Sequence, residues 1–189
     1  MAQFYYLISS LPMLTLDESP LIDSLKFLDS CSDFISPEDF EILTNLSISP
    51  DDLTTDSPIP EWSIWETLLR NRLVTKRGKS GSGAEKYLHE EMDSFSEIEK
   101  GVQEAYLKSD PLEREDYLDQ MRWTKLEDLE VGHDFDFKKL CIYKMKLMLC
   151  EKRLGRNREK GSRNYDDIVE TIYGVNPLDP PQIEEHKDI

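Results

Sequence analysis

Apolar residues recur at helical spacing along most of this chain. Residues 62–73 place Trp, Trp, Leu and Leu three or four positions apart, and residues 95–105 repeat the pattern with Phe, Ile, Val and Ala. The segment Phe135 to Leu154 is apolar on nearly every side when drawn as a helix, which is typical of a central helix packed by several neighbours. The run Phe4 to Ile8 is too short for its periodicity to separate a strand from a helical turn. The pattern predicts an all-α domain with a central apolar C-terminal helix and leaves a short N-terminal strand open.

Capping signals mark where several helices begin and end. Ser36-Pro37 supplies a capping hydroxyl and a proline at the first helical position, and Asp110-Pro111 has a similar form. Ser19-Pro20 is expected to begin an earlier helix. Thr124 to Glu127 matches a capping box, so we expect a short new helix there, closed by Gly132.

Stretches rich in Pro, Gly, Ser and charge divide the chain. We expect an N-terminal helical segment over 1–76 and a flexible basic loop over 77–84. A C-terminal helical segment over 85–174 packs in the same domain or an adjoining one. The Pro-containing tail over 175–189 is expected to be flexible.

The chain is strongly acidic, with 39 acidic and 23 basic residues and a net charge of −16. Phosphates repel such a protein, so we expect no nucleic-acid partner. The charge favours basic partners, although solubility alone also explains it. Two basic islands interrupt the acidic sequence, residues 70–86 with a net charge of +5 and residues 141–163 with +6. We expect these islands to contact acidic groups, either on this protein or on a partner.

Cysteine use and hydropathy indicate an intracellular protein without a membrane span. Cys31, Cys141 and Cys150 are too few and too scattered for a disulfide framework. No stretch approaches the roughly 18 apolar residues that a membrane helix needs. The N-terminus lacks the basic start of a signal peptide. We therefore expect a cytoplasmic location.

Motifs for catalysis or cofactor binding fail at decisive positions. Gly78-Lys79-Ser80 needs a glycine five residues earlier to form a phosphate-binding loop, and Leu73 stands there. His89-Glu90-Glu91 needs a second histidine where the chain has Asp93. His133 and the aspartates beside it make at most a weak metal site. We expect no catalytic residue, cofactor or metal.

Aromatic and basic side chains around the first basic island make the best candidate binding surface. Trp and Arg are typical hot-spot residues of protein interfaces, and basic residues near aromatics also bind RNA. The alternative is that the tryptophans belong to the core and the bases line a solvated face. The candidate interaction residues are Trp62, Trp65, Arg70, Arg72, Lys76, Arg77, Arg122 and Trp123.

Four segments of the chain form a recognisable set. Residues 4–7 read FYYL and are followed by Leu11-Pro12, which is similar to the form YYYL…LP, and residues 61–71 read EW..WE..LRN. Residues 143–153 read YKMKL…EKR. The most specific segment, residues 111–123, reads PLE.E..LD..RW.

These segments, from about residue 3 to about residue 173, resemble an uncharacterised bacterial family encoded among A/V-type ATPase subunit genes. The resemblance implies a non-catalytic accessory, stalk or assembly component of an ATP-driven ion pump, analogous to the C or d subunit. Its partners would be pump subunits, and it would lie at the inner membrane only through that complex. The chain departs from the family at Gly78 to Gly83, where further Arg and aliphatic residues are usual.

Two other functions are compatible with the same sequence. One is a general protein-interaction adaptor unrelated to the pump, which would present a flat apolar patch with a polar rim. The other is an anion-binding protein or enzyme that uses the basic islands, which would show a deep pocket where basic side chains converge.

Overall fold

The computed structural model describes residues 2–49, 57–78, 96–156, 163 and 167–168, and this part of the chain is all-α. The described residues contain no strand, so the N-terminal run that the sequence leaves open is helical. The seven helices of the described residues are α1 (Ala2–Ser10), α2 (Ser24–Ser32), α3 (Pro37–Asn45), α4 (Pro60–Arg77), α5 (Ser96–Leu107), α6 (Pro111–Glu130) and α7 (Phe137–Leu154).

The chain divides into two compact units, Met1–Arg153 and Leu154–Ile189. All seven helices begin in the first unit, and only the last residue of α7 falls in the second. The expected tail lies outside the described residues, as does the expected basic loop after its first two positions, so both stay predictions. Within the described ranges, no helix has the length and apolarity needed to cross a membrane.

The predicted starts of α3 and α6 are confirmed. The Ser36 hydroxyl accepts the backbone N–H of Asp39 at 3.1 Å, and the Asp110 carboxylate accepts that of Leu112 at 2.9 Å. A proline follows each cap. Both starts depend on residues within one turn of each other, which is why local sequence predicts them.

α2 begins at Ser24, later than the expected start at Ser19-Pro20. The Asp23 carboxylate accepts the backbone N–H of Lys26 at 2.8 Å. Glu151 of α7 accepts both the backbone N–H and the hydroxyl of Ser24, each at 2.6 Å. These acceptors satisfy first-turn donors of a helix that starts at Ser24. The Asp23 cap is a local signal that the sequence contains, whereas Glu151 is too distant in sequence to leave one.

α6 runs unbroken from Pro111 to Glu130, so the predicted new helix at Thr124 is wrong. The Glu127 carboxylate accepts the indole N–H of Trp123 at 2.8 Å instead of bonding the backbone at Thr124. Trp123 and Leu126 are both buried and extend one apolar stripe past this position. Burial of a continuous helix face outweighs a local capping pattern.

The turn after α6 depends on Gly132, which has a φ of +83°. Backbone in this left-handed region is costly for a residue with a side chain. Space is not the constraint, since a Cβ at this position would have no neighbour within 4 Å. The predicted closure by Gly132 is confirmed.

The predicted central position of α7 is confirmed. Eight apolar side chains between Leu140 and Cys150 are buried. Hydrogen bonds connect α7 to α2, α3, α4, α6 and the segment that follows α1. In the last of these, the Tyr143 hydroxyl donates to the Pro12 carbonyl at 2.8 Å. Neighbours on several sides explain why this helix is apolar most of the way round.

Lys144 is buried within this apolar helix, with only 4% of its surface exposed. Its ammonium donates to the carbonyl of Leu43 and, at 2.9 Å, to that of Thr44. Both carbonyls lie in the last turn of α3, where they have no partner within the helix. Burial lowers the pKa of Lys144. Lys144 therefore caps α3 and ties it to α7.

Replacing Lys144 with methionine is expected to lower the free energy of unfolding by about 1–3 kcal/mol, because buried carbonyls lose their donor. Urea denaturation measures the change. Lys100→Met, at an exposed position of α5, is the matched control and should change stability by less than about 0.5 kcal/mol. Equal effects of the two substitutions would show that Lys144 does not cap α3.

Candidate functional site

The three tryptophans among the candidate interaction residues lie in the core. Trp62, Trp65 and Trp123 are all buried. The rings of Trp62 and Trp65 stack with their centroids 5.6 Å apart, and the Trp62 indole donates to the Ile48 carbonyl at 3.1 Å. Of the two alternatives that the sequence left open for these side chains, the structure shows core packing.

The basic candidates and several carboxylates meet in a groove of 610 Å³, which we call the charged groove. A pocket where basic side chains converge would favour anion binding. Whether these side chains are available to an anion depends on which groups they already contact. The charged groove is lined by Arg70, Arg77, Arg122 and Lys152 and by the carboxylates of Glu66, Glu115 and Glu151.

A buried ion cluster forms the floor of the charged groove. Arg122 is 6% exposed, and its Nε and Nη2 donate to the two oxygens of Glu66, each at 3.0 Å. Its Nη1 donates to Asp119 at 3.0 Å. Arg70 also donates to Glu66 at 3.2 Å, and Lys152 donates to Asp119 at 3.1 Å. These five residues, the ion cluster, join α4, α6 and α7.

The carboxylates of the ion cluster keep Arg122 charged. Burial by itself lowers the pKa of the guanidinium, but the charges and hydrogen bonds of Glu66 and Asp119 outweigh burial and raise it. The paired geometry uses the guanidinium as a two-pronged donor, the strongest form of this contact. Because the cations of the ion cluster already contact carboxylates of this chain, we interpret the cluster as a network that holds α4, α6 and α7 together.

Three arginines of the first basic island contact this protein's own acids, Arg70 within the ion cluster and Arg72 and Arg77 beside it. Arg72 lies 2.9 Å from Glu99, and Arg77 lies 3.3 Å from Glu115. Lys76 is exposed. Together with the ion cluster, these contacts support internal pairing, the first of the two alternatives predicted for the basic islands.

A second groove, of 720 Å³, lies where α1 and the segment after it face the end of α6 and the start of α7. We call it the N-terminal groove. Its wall is mostly apolar, and charged side chains of α6 and α7 complete it. The apolar lining residues are Ile8, Leu11, Pro12, Met13, Leu14 and Phe135.

Exposed aromatic side chains continue from this groove along α1. Tyr6 is 72% exposed and Met13 is 87% exposed, and Tyr5 and Phe135 are also exposed. The ring centroids of Tyr5 and Phe135 lie 4.7 Å apart, and those of Tyr5 and Tyr6 lie 5.7 Å apart. We call these four residues the N-terminal aromatic surface. An exposed apolar patch rimmed by polar residues is typical of an interaction site.

None of the four was among the candidate interaction residues, because an apolar run at a chain's start resembles a buried element. A signal was present in the adjacent pair Tyr5 and Tyr6. Consecutive residues of a helix point about 100° apart, so a short helix that buries Leu7 turns neighbouring side chains outward. Only the packing partner of α1 decides which ones.

Glu130, at the end of α6, lines the N-terminal groove and connects α6 to α7. Its carboxylate contacts the ammonium groups of Lys139 and Lys146, both on α7. Burial tends to raise the pKa of Glu130, but the hydrogen bonds and charges of the two lysines lower it overall. The Lys146 ammonium also lies 5.1 Å from the centroid of the Trp123 ring. This cation–π contact adds to the attachment of α7 to α6.

Acid is expected to weaken the fold through Glu130. Because its folded pKa lies below the ordinary value of 4.5, its stabilising contribution is complete above that pH and is lost as the pH falls through the folded pKa. Glu130→Gln should therefore reduce stability near neutral pH and flatten its decline below about pH 4.5. Urea denaturation across the acidic range measures this. An unchanged pH profile in Glu130→Gln would exclude the effect.

The histidine and the cysteines that the sequence singled out are relevant to two kinds of site, a metal site and a reactive thiol. No group of three or more His, Cys, Asp or Glu in this part of the chain is placed to hold a metal. His133 contacts Asp136 with 2.5 Å between Nδ1 and Oδ2. Burial raises the pKa of the Cys31 and Cys141 thiols to about 12, so both stay protonated at neutral pH. His89 lies outside the described residues.

Residues 81–174 match a family described as a protein of unknown function (DUF2764). The match covers just under half of the chain, includes α5, α6 and α7, and contains the PLE.E..LD..RW segment. It leaves out α1 to α4. Neither the curated proteins nor the solved structures contain a match.

Proposed function

We propose that this chain is a non-catalytic accessory, stalk or assembly component of a bacterial A/V-type ATPase. The assignment to the pump is supported by the resemblance of four segments to a family encoded with its subunits. The most specific of these segments lies in α6, within the stretch that matches the family of unknown function. An all-helical fold suits a subunit whose task is to bind other subunits.

The N-terminal aromatic surface is the observation that carries the interaction role. Tyrosine and methionine are enriched at protein interfaces, where a large side chain buries apolar area at low entropic cost. Apolar area removed from water contributes about 25 cal/mol per Å². Tyr6 and Met13 each expose most of their surface. A partner that covers them therefore gains from burial that the isolated chain does not make.

The negative charge of the chain argues against direct binding to lipid and supports attachment to the membrane only through a partner protein. The cytoplasmic leaflet is negatively charged and repels a chain with a net charge of −16. Stalk surfaces of a pump can supply positive charge, which speeds docking, while apolar contacts hold the complex. We therefore propose a cytoplasmic protein that is peripheral to the inner membrane only through the complex.

The charged groove supports the rival anion-binding function less well. Arg70 and Arg122 donate to Glu66, and Arg77 contacts Glu115. An anion in this groove would have to displace carboxylates that already hold these guanidinium groups. The contact between Arg122 and Glu66 is buried, and breaking a buried ion pair is costly.

Affinity purification of the full chain from its native cell tests the proposal. We expect A/V-type ATPase subunits to co-purify, and the chain to sediment with membranes only when the pump is present. High salt should release it, because screening weakens attraction between opposite charges. Deletion should impair pump assembly or coupling without abolishing ATP cleavage by the isolated soluble head.

A contrary outcome would favour the general adaptor. In that case the chain fractionates entirely free of membranes and pump subunits, and its deletion leaves ion pumping intact. Co-purification with an unrelated assembly would identify the adaptor's partner.

A further inference from the structure

We infer that the N-terminal groove binds a basic amphipathic segment of a partner protein, apolar along one side and rich in Lys or Arg along the other. The partner's membership of the pump rests on the proposed function. The chemistry of the ligand rests on the groove itself.

The apolar side of such a segment matches the wall of the groove. Leu11, Met13 and Leu14 come from the segment after α1, and Phe135 comes from the turn before α7. Met13 is exposed, so its flexible thioether is available to pack against a ligand. Amphipathic segments bind grooves of this kind by inserting apolar anchors along one face.

The basic side matches the charge around the groove. From Glu127 to Asp136 the chain carries five carboxylates and no Lys or Arg. The wall formed by α1 and the residues after it is also without a base, because the first Lys or Arg of the chain is Lys26. Residues 2–16 carry no acid either, so the rim is acidic on the side of α6 and the turn before α7 and uncharged on the side of α1.

The two lysines within the groove reduce this charge but do not cancel it. Lys139 and Lys146 both contact Glu130, and the three carboxylates and two ammonium groups of the lining leave a net charge of −1. Glu127 and Asp134, which also line the groove, are exposed at its rim. Acidic side chains at the rim would attract Lys or Arg of an incoming segment and align it along the groove.

The end of α6 adds to the attraction for a cation. α6 ends at Glu130, so the carbonyls of its last turn lie at this end of the groove. The C-terminus of a helix carries a partial negative charge of about half an electron. A cationic side chain bound at the rim is stabilised by this charge as well as by the carboxylates.

The same charge argues against the other occupants of an apolar groove. A second copy of this chain would bring a net charge of −16 and an identical acidic rim. Residues 164–189 of the chain carry seven acids and one base, so the rim repels them too. Anionic lipid is repelled for the same reason.

Site-specific photo-crosslinking in the native cell identifies the occupant. The full chain carries a photoreactive phenylalanine analogue at position 13, in the groove, or at position 25 as the control. Leu25 is an exposed apolar residue of α2 and is not among the residues that line the groove. We expect position 13 to capture a segment with more Lys and Arg than Asp and Glu and with apolar residues at helical spacing, and position 25 not to capture it.

The outcomes separate this inference from the proposed function. A basic amphipathic segment from a protein outside the pump would support the inference and overturn the pump assignment. Pump subunits that co-purify without a basic segment at position 13 would support the assignment and overturn the inference. Capture of an acidic segment, of a second copy or of the chain's own tail would also overturn it.

Binding in solution tests the charge argument directly. The probe is a synthetic helix of about 18 residues with a leucine face and a lysine face, compared with the same peptide carrying glutamate in place of lysine. We expect only the lysine peptide to bind, with an affinity that falls as salt rises. Asp134→Lys should weaken binding by about five- to tenfold, since it reverses a rim charge.

The matched control for charge is Asp29→Lys, at an exposed position of α2, which should change the affinity less than about twofold. Met13→Ser and Leu25→Ser form the corresponding apolar pair, and only the first should weaken binding. Equal effects within either pair, or equal binding of the glutamate peptide, would overturn the inference. Both groove positions are exposed, so these variants should fold.

Discussion

Arg122→Met is expected to lower the free energy of unfolding by about 3–5 kcal/mol, because it leaves buried carboxylates without their main cation. Asp119 is 0% exposed, and Glu66 is also buried. Arg70 and Lys152 each keep one contact with these carboxylates, but neither replaces the paired hydrogen bonds of the guanidinium. Urea denaturation at neutral pH measures the loss.

Two further variants show whether the effect comes from the ion cluster. Arg72→Met removes a partly exposed arginine that contacts Glu99, and it should cost less than about 1 kcal/mol. Replacing Glu66, Asp119 and Arg122 together with leucine, leucine and methionine should recover most of the loss, since no buried charge stays unpaired. A loss in Arg122→Met no larger than that in Arg72→Met would show that the cluster does not stabilise the helix packing.

Met145→Asp is expected to lower the free energy of unfolding by more than about 4 kcal/mol, because it places a carboxylate in the apolar centre of α7. Met145 is fully buried among the core residues. Met145→Leu, which keeps the volume and the apolar character, should cost less than about 1.5 kcal/mol. Thermal or urea denaturation distinguishes the two.

Met13→Asp is the matched control for the same chemical change. Met13 is highly exposed, so this variant should change stability by no more than about 0.5 kcal/mol. A loss below about 1 kcal/mol in Met145→Asp would contradict the central position of α7.

These variants separate stability from binding. Arg122 and Met145 lie in the core, so any loss of binding in Arg122→Met or Met145→Asp should accompany a loss of stability. Tyr6 and Met13 lie on the surface, so their replacement should weaken partner binding in a folded chain. A binding loss with unchanged stability would therefore locate the interaction at the N-terminal aromatic surface.

Features that depend on neighbours within a turn or two could be predicted from the sequence. The caps at Ser36 and Asp110 act on the first turn of their own helices. The all-round apolar pattern of α7 predicts its central place because such a helix needs a neighbour on nearly every side. Gly132 follows the end of α6 because its own backbone adopts a positive φ, which glycine allows.

Features that depend on residues distant in the chain could not be predicted from the sequence. The capping box at Thr124 fails because the apolar face of α6 continues across it and Trp123 takes the Glu127 carboxylate. Ser24, the first residue of α2, bonds to Glu151 of α7, although the Asp23 cap of the same helix is local. Local propensities are small beside the burial of a whole helix face.

The sequence by itself determines that this protein is all-α and strongly acidic, because helical periodicity and charge are properties of the residues in order. Only the tertiary structure decides which aromatic and charged side chains a partner can reach. The core takes Trp62 and encloses Arg122 beside Glu66, whereas Tyr6 and Met13 stay at the surface. Helical spacing places residues on a common face, but the neighbour that covers the face comes from elsewhere in the chain.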